Sequence, residues 1–187
     1  AAGQHPLAVV LSCIDSRAPA ELIFDLGLGD IFSVRIAGNV ISREVVGSME
    51  YACAVAGAKL ILVMGHTRCG AVTAAVELAC AEQTAAQATG CQHLDPIVQI
   101  IQQSMAPLAS QHLGQLSAFE KEDFVNSVAR CNVSRVVELV FQQSQMLDNL
   151  HRDGRVAIIG AVYDVVSGEI VFLPHADTCV EAPAPGP

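Results

Sequence analysis

Seven cysteines and six histidines give this chain several groups able to hold a soft metal ion. Three of them stand out by position. Val9 to Arg17 reads Val-Val-Leu-Ser-Cys-Ile-Asp-Ser-Arg, so an apolar run ends at Cys13, and Asp15 and Arg17 follow at alternate positions. Leu60 to Gly70 reads Leu-Ile-Leu-Val-Met-Gly-His-Thr-Arg-Cys-Gly, so a second run ends in His66, with Cys69 three positions later. Two cysteines and one histidine with one position open are the donor set of a tetrahedral zinc site of the catalytic kind. A structural site would more often supply a fourth protein ligand. Asp15 is close enough to Cys13 to compete for the open position.

The charges indicate what else such a site needs. Zinc with two thiolates is formally neutral and acidifies its water less than zinc held by three neutral histidines. A neighbour that accepts a hydrogen bond would help to fix the hydroxide. An arginine fork can hold an ionised carboxylate in one orientation. Asp15 held by Arg17 would then be an acceptor only, admitting hydroxide or bicarbonate and repelling ligands without a hydrogen. Each piece has a plainer reading alone: a buried thiol, a structural ion pair, a chance His-x-x-Cys. The combination is more specific than its members.

The surrounding pattern says which elements must position these groups. The first run, Leu7 to Ser12, is apolar throughout, as in a strand buried on both faces of a parallel sheet. Pro19 suits the first turn of a short helix over 20–26, ended by Gly27 and Gly29. A second strand is expected over Ile31 to Ile36, then a tight turn at Ala37-Gly38-Asn39. Ser42 reads as a cap for a helix over 43–57. A third strand is expected over Lys59 to Met64, and a helix from Cys69 to Ala81. In that arrangement the helix N-terminus favours a thiolate at Cys69. Residues 82–93 read as a loop or frayed helix end. Helices follow over 94–109, 118–130 and 132–151. Asp153-Gly154 leads to a fourth strand over 156–163, and Ser167-Gly168 turns the chain into a fifth over 170–173. The expected fold is α/β: a mainly parallel central sheet, about four parallel strands plus one antiparallel edge strand, flanked by helices. One domain is expected over 1–180, with a disordered Pro/Ala/Gly tail over 181–187. Cys13 and His66 then open into the crevice at the carboxyl ends of neighbouring strands.

Composition narrows the partners. The chain has 187 residues, 52% of them hydrophobic and 16% charged. That much apolar surface predicts an oligomer. A net charge of −9 argues against nucleic acid and anionic membranes as partners. No run reaches the roughly 18 to 20 apolar residues of a membrane span, and no secretory signal is visible. An odd number of cysteines in this setting points to reduced thiols, with a Cys80–Cys91 pair a minor oxidised alternative. His5, His93, His112 and His151 read as surface residues, and His175 as a loop histidine.

Cys13-Ile-Asp15-Ser16-Arg17 together with His66-Thr-Arg-Cys69-Gly70 resembles the β-class carbonic anhydrases, and the resemblance runs from Gln4 to about Leu173. Pro19-Ala20-Glu21, the turn from Arg35 to Asn39 and Met49-Glu50-Tyr51-Ala52 also match. The resemblance implies one Zn2+ per chain on Cys13, His66 and Cys69, with Asp15 and Arg17 as catalytic pair. It implies reversible hydration of carbon dioxide to bicarbonate and a proton by attack of zinc-bound hydroxide. It further implies a substrate pocket in which Phe32, Ala37 and Tyr51 form an apolar wall, Gly70 offers a backbone donor, and Gln4 reaches in from the neighbouring subunit. A homodimer or larger homo-oligomer follows, in the cytoplasm.

Three departures bear on that reading. The chain starts only a few residues before its first strand, where relatives carry helices that wrap the partner. It reads as trimmed, or as the cytoplasmic domain of a longer membrane protein such as a transporter fusion. Ile36 stands where many relatives have Asn. Arg35 and Tyr163 resemble two members of a bicarbonate site that one subgroup keeps away from zinc, but Val10 replaces its Trp. Two alternatives stay open: a carbonyl sulfide or carbon disulfide hydrolase on the same scaffold, and a non-catalytic zinc or bicarbonate-sensing module of a transporter.

Overall fold

In a computed structural model, residues 4–105 and 116–174 are described. Five strands form one sheet in the order β2-β1-β3-β4-β5. They are β1 (Ala8–Ser12), β2 (Ile31–Arg35), β3 (Leu60–His66), β4 (Ala157–Tyr163) and β5 (Ile170–Leu173). The first four run parallel, and β5 pairs antiparallel with β4 at the edge. The mainly parallel α/β architecture expected from the sequence is therefore the one observed.

All five residues of β1 are buried, which accounts for its lack of polar alternation. Val9 and Leu11 join Ile61, Val63, Ile158 and Val162 on one face of the sheet. There they pack on α2 (Arg43–Glu50), α6 (Ala118–Gln143) and α7 (Gln145–Arg152). Each such side chain contributes about 1.5–3 kcal/mol by leaving water. The opposite face is thinner: Val10, Leu62, Met64 and Ala161 meet the short α1 (Ala20–Ile23). A third cluster lies at the carboxyl end of the sheet. There α3 (Gly70–Ala81), α4 (Ala85–Thr89), α5 (Asp95–Gln102) and the first half of α6 close around Cys13 and Cys69.

Several expected boundaries move. Pro19 precedes α1 as its N-cap instead of opening its first turn, and α1 stops at Ile23. The helix expected over 43–57 is α-helical only to Glu50, and Tyr51–Val55 form a π-helical turn. β3 continues two residues past Met64, because Gly65 leaves room for α6: a Cβ there would lie 2.6 Å from Val133 Cγ2. Cys69 is the N-cap of α3 and lies outside its first turn. The segment expected as loop contains α4, closed by a capping box between Thr84 and Gln87. The two helices expected over 118–130 and 132–151 are divided elsewhere. α6 runs unbroken past Cys131-Asn132, since Val125, Val128, Ala129, Val133, Val136, Val137 and Val140 keep one buried stripe. The break comes at Ser144, whose backbone is extended and whose hydroxyl accepts from Leu147 N to cap α7. His112, His175, Cys179, the end of the helix expected over 94–109 and the tail over 181–187 lie outside the described residues.

Candidate metal centre

β1 and β3 are neighbours, but the chain first crosses from β1 to β2 on the other side. The strand order therefore reverses between β1 and β3, and α/β sheets open a crevice at the carboxyl ends of such strands. Cys13 follows the last residue of β1, and His66 is the last residue of β3. Ser12 pairs with Met64, which leaves Cys13 and His66 at that edge of neighbouring strands, one residue out of step.

The sulfur and nitrogen donors of Cys13, His66 and Cys69 all lie within 4.8 Å of one another, and all three residues are buried. The two sulfurs are 3.9 Å apart. Two sulfurs at about 2.3 Å from a tetrahedral zinc would stand about 3.8 Å apart. His66 Nδ1 is 2.9 Å from the carbonyl of Thr67, so the ring donates there and turns Nε2 toward the sulfurs. That Nε2 is buried and has no hydrogen-bond partner. A buried ring nitrogen costs stability unless something meets it, and a cation among these donors would do so. The residues fit zinc.

Electrostatics prepare the same donors. The Cys69 thiol facing Cys13 pulls the Cys13 thiol down, against its own burial. The same contact and burial push the Cys69 thiol up, while the first-turn amides of Val72 and Ala71 act the other way. Gly38 N donates to Cys13 Sγ at 3.4 Å from a left-handed backbone (φ 65°). A Cβ at Gly38 would come 2.5 Å from Ile101 Cδ1, so that turn requires glycine. Burial alone would lower the His66 pKa, but the Cys13 thiolate beside it raises it on balance.

Asp15 stands at the mouth of this cluster. Arg17 Nε donates to its Oδ1 at 2.9 Å and Arg17 Nη2 to its Oδ2 at 2.7 Å, the bidentate fork expected from the sequence. The backbone N–H of Arg17 adds a third bond at 2.9 Å. Together they hold the Asp15 carboxyl well below the usual carboxylate range. Its Oδ2 lies 3.8 Å from His66 Nε2.

Residues 8–170 match the carbonic anhydrase family profile. Carbonic anhydrase 2 of Mycobacterium tuberculosis is 36% identical over 175 residues, covering 94% of this chain and 78% of that protein. The chain belongs to the β-class carbonic anhydrases. A carbonic anhydrase of Mycolicibacterium smegmatis is 35% identical, covering 92% of this chain and 77% of its own length. The crystal structure of the β-carbonic anhydrase CafA of Aspergillus fumigatus superposes with a TM-score of 0.74 at 31% identity, over 94% of this chain and 79% of that one. As a β-carbonic anhydrase this chain is an enzyme, and its Cys/His/Cys cluster suits the metal of that class.

Not every residue singled out from the sequence gathers at the carbonic anhydrase centre of one protomer. Ala37 and Gly70 flank it, next to Gly38 and Cys69 respectively. Phe32 and Tyr51 pair edge-to-face with ring centroids 6.2 Å apart, beside an open groove lined also by Glu44 and Ser48. Gln4 is exposed ahead of β1. Between Leu7 and Cys13 the extended chain covers about 20 Å, so Gln4 stands at the far end of the sheet from its own Cys13.

The sequence named Arg35 and Val10 only for a bicarbonate site away from zinc, and it singled out neither Asn126 nor Asn132. Arg35, opposite Ser12 on β2, donates from Nε to the Cys13 carbonyl at 2.9 Å and from Nη2 to the Asp15 carbonyl at 2.6 Å. Its guanidinium therefore grips the loop that carries both groups. Val10 is buried against Leu62, Met64 and Ala161. Asn132, in the interior of α6, donates to the Gly38 carbonyl at 2.9 Å and so braces the turn under Cys13. Asn126, two turns earlier, accepts from Arg68 N at 2.9 Å. Asparagine is a poor helix former, and two of them inside one long helix are the signal that could have marked these positions.

Proposed function

We propose that this chain hydrates carbon dioxide reversibly to bicarbonate and a proton, with one zinc ion per chain held by Cys13, His66 and Cys69. The observation that carries this reading is the partnerless, buried His66 Nε2 beside two sulfurs at zinc-site spacing. Zinc bound there supplies a Lewis acid and lowers the pKa of a water toward neutrality. Asp15, kept ionised by Arg17, can only accept a hydrogen bond. It orients a nucleophile that bears a hydrogen and turns away anions that bear none. Arg35 and Arg17 fix the Asp15 backbone and carboxylate, so little reorganisation is needed as charge develops.

Carbon dioxide is linear, uncharged and poorly hydrated, which suits a pocket with the apolar wall of Phe32, Ala37 and Tyr51. The backbone N–H of Gly70, at the start of α3, would polarise an oxygen that gains charge. Gln4 stands at the far end of its own sheet, so its substrate contact would be made in the partner's site. A homodimer is therefore the smallest assembly in this reading. Tyr51 and Val55 are 53% and 70% exposed, apolar area of the kind a partner covers. No helix among the described residues is long and apolar enough to cross a membrane.

The test is stopped-flow hydration of carbon dioxide by zinc-quantified protein between about pH 6.5 and 9, where a zinc-held water ionises. Turnover that rises with pH and follows zinc content supports the proposal. One zinc per chain without turnover at any pH would sink it and favour a sensing module.

A further inference from the structure

The loop between β3 and α3 carries an unusual backbone. Arg68, between His66 and Cys69, has φ 54°, a left-handed conformation that an L residue other than Gly, Asn or Asp adopts at a cost. Something must hold it, and the helix across the loop does so twice. Asn126 Oδ1 accepts from the Arg68 N–H at 2.9 Å. Glu122, one turn earlier on α6, accepts from Arg68 Nε at 2.7 Å. Residues four apart on a helix share a face, so both partners come from one side of α6.

The two contacts differ in weight. The Arg68 and Glu122 side chains are 52% and 43% exposed, and such surface pairs contribute little. The Asn126 contact fixes the backbone itself. Its effect passes onward, because the Arg68 carbonyl accepts from Arg17 Nη2 at 3.1 Å, and that same nitrogen grips Asp15 Oδ2 at 2.7 Å. If φ at Arg68 returned to the right-handed region, both flanking peptide planes would turn and Arg17 would lose its backbone acceptor. The fork on Asp15 would then rest on the carboxylate alone, at the end of a half-exposed side chain.

We propose that Asn126 is a positioning residue for the Asp15–Arg17 pair, acting through the left-handed backbone of Arg68. The inference rests on the catalytic reading of Asp15 given above. Asn126 meets the loop at Arg68 and is not among the metal donors. It sets where Arg17 stands, and Arg17 sets where Asp15 points.

The experiment compares wild type, Asn126→Leu and Asn126→Asp in the full chain. Leu keeps the branched outline of Asn with more bulk and no acceptor, whereas Asp keeps the acceptor. Three quantities are read: zinc per chain, hydrogen–deuterium exchange of the Arg68 amide with and without zinc, and kcat and KM for carbon dioxide. In Asn126→Leu the Arg68 amide should exchange about ten-fold faster, as one lost hydrogen bond implies. Its kcat should fall about ten-fold while KM stays within about two-fold, the pattern of a lost transition-state interaction. Zinc content should match wild type, and Asn126→Asp should restore both exchange and kcat. Asn126→Ala, which adds no apolar bulk, carries the same expectations if Asn126→Leu does not fold.

Wild-type kcat in Asn126→Leu would overturn the proposal. So would zinc lost in step with kcat, because Asn126 would then serve the metal loop and not the pair. An Asn126→Asp variant no better than Asn126→Leu would overturn it too. If wild type itself shows no turnover, the proposed function fails, and the exchange data decide on Asn126 alone: an Arg68 amide still protected in Asn126→Leu refutes the latch.

Discussion

Asp15 Oδ2 lies 3.8 Å from His66 Nε2, beyond hydrogen-bond reach, while Arg17 holds both of its oxygens at 2.9 Å or less. The carboxylate faces the metal donors yet belongs to the guanidinium. In the proposed reading this separation would let one acidic residue serve beside a cation without becoming its ligand, and would leave the histidine nitrogen to the ion. Asp15→Asn would exchange an oxygen acceptor for an amide that can donate. The variant should keep its zinc and lose about a hundred-fold or more in kcat, the scale of a proton-handling group. Zinc analysis and stopped-flow rates on one preparation check this, and normal turnover would contradict the role given to Asp15.

Removing the metal should remove activity and stability together. In the proposed site zinc would bind the folded chain more tightly than the unfolded one and so raise the melting temperature by mass action. Treatment with a strong chelator should abolish turnover and lower Tm, and added zinc should restore both. Cys13→Ser exchanges a soft thiolate for a hydroxyl that zinc binds poorly, and it should purify with far less than one zinc per chain. Metal analysis and calorimetry check both statements.

The Asp15–Arg17 pair gives a stability that depends on pH in a defined direction. The folded chain holds the Asp15 carboxyl below its ordinary pKa. Its contribution is therefore complete above about pH 4, the unfolded carboxylate value, and fades as pH falls toward the folded one. Arg17→Met should be less stable than wild type at neutral pH by about 1 kcal/mol at most, because the arginine side chain is half exposed. That gap should stay flat down to about pH 5 and close below about pH 4. Urea titrations at several pH values measure it, and a gap that widens on acidification would reverse the assignment.

Val133 fills the space above two strand glycines at once. A Cβ on Gly65 would lie 2.6 Å from its Cγ2, and one on Gly160 2.7 Å from its Cγ1. Gly65→Ala should therefore cost about 1–3 kcal/mol by overpacking. In a Val133→Ala background, which removes both methyls, the same change should cost clearly less than it does alone. A double-mutant cycle in urea reads the coupling, and additive costs would show that α6 shifts to make room.

Spacing along the chain determined much of this site. Apolar runs ending in Cys13 and His66 announced strand ends, because a buried parallel strand has no polar alternation. Asp15 and Arg17 at alternate positions announced their pairing, which a fork two residues away can reach. Gly38 and Ser42 announced a turn and a helix cap, both local. What only the tertiary structure decided lies across long sequence separations. Asn126 reaches Arg68 over 58 residues, and Asn132 reaches Gly38 over 94. Asn126 lies in a helix that was expected, but nothing local named its partner, and Asn132 stands where two expected helices met until a buried valine stripe carried α6 through it. Arg35 holds the backbone of Cys13 and Asp15 because β2 lies beside β1 in a register that sets Arg35 opposite Ser12. Periodicity reports which residues face the core. It carries no information about which distant element that core brings alongside, and the second set of partners around this metal centre is chosen there.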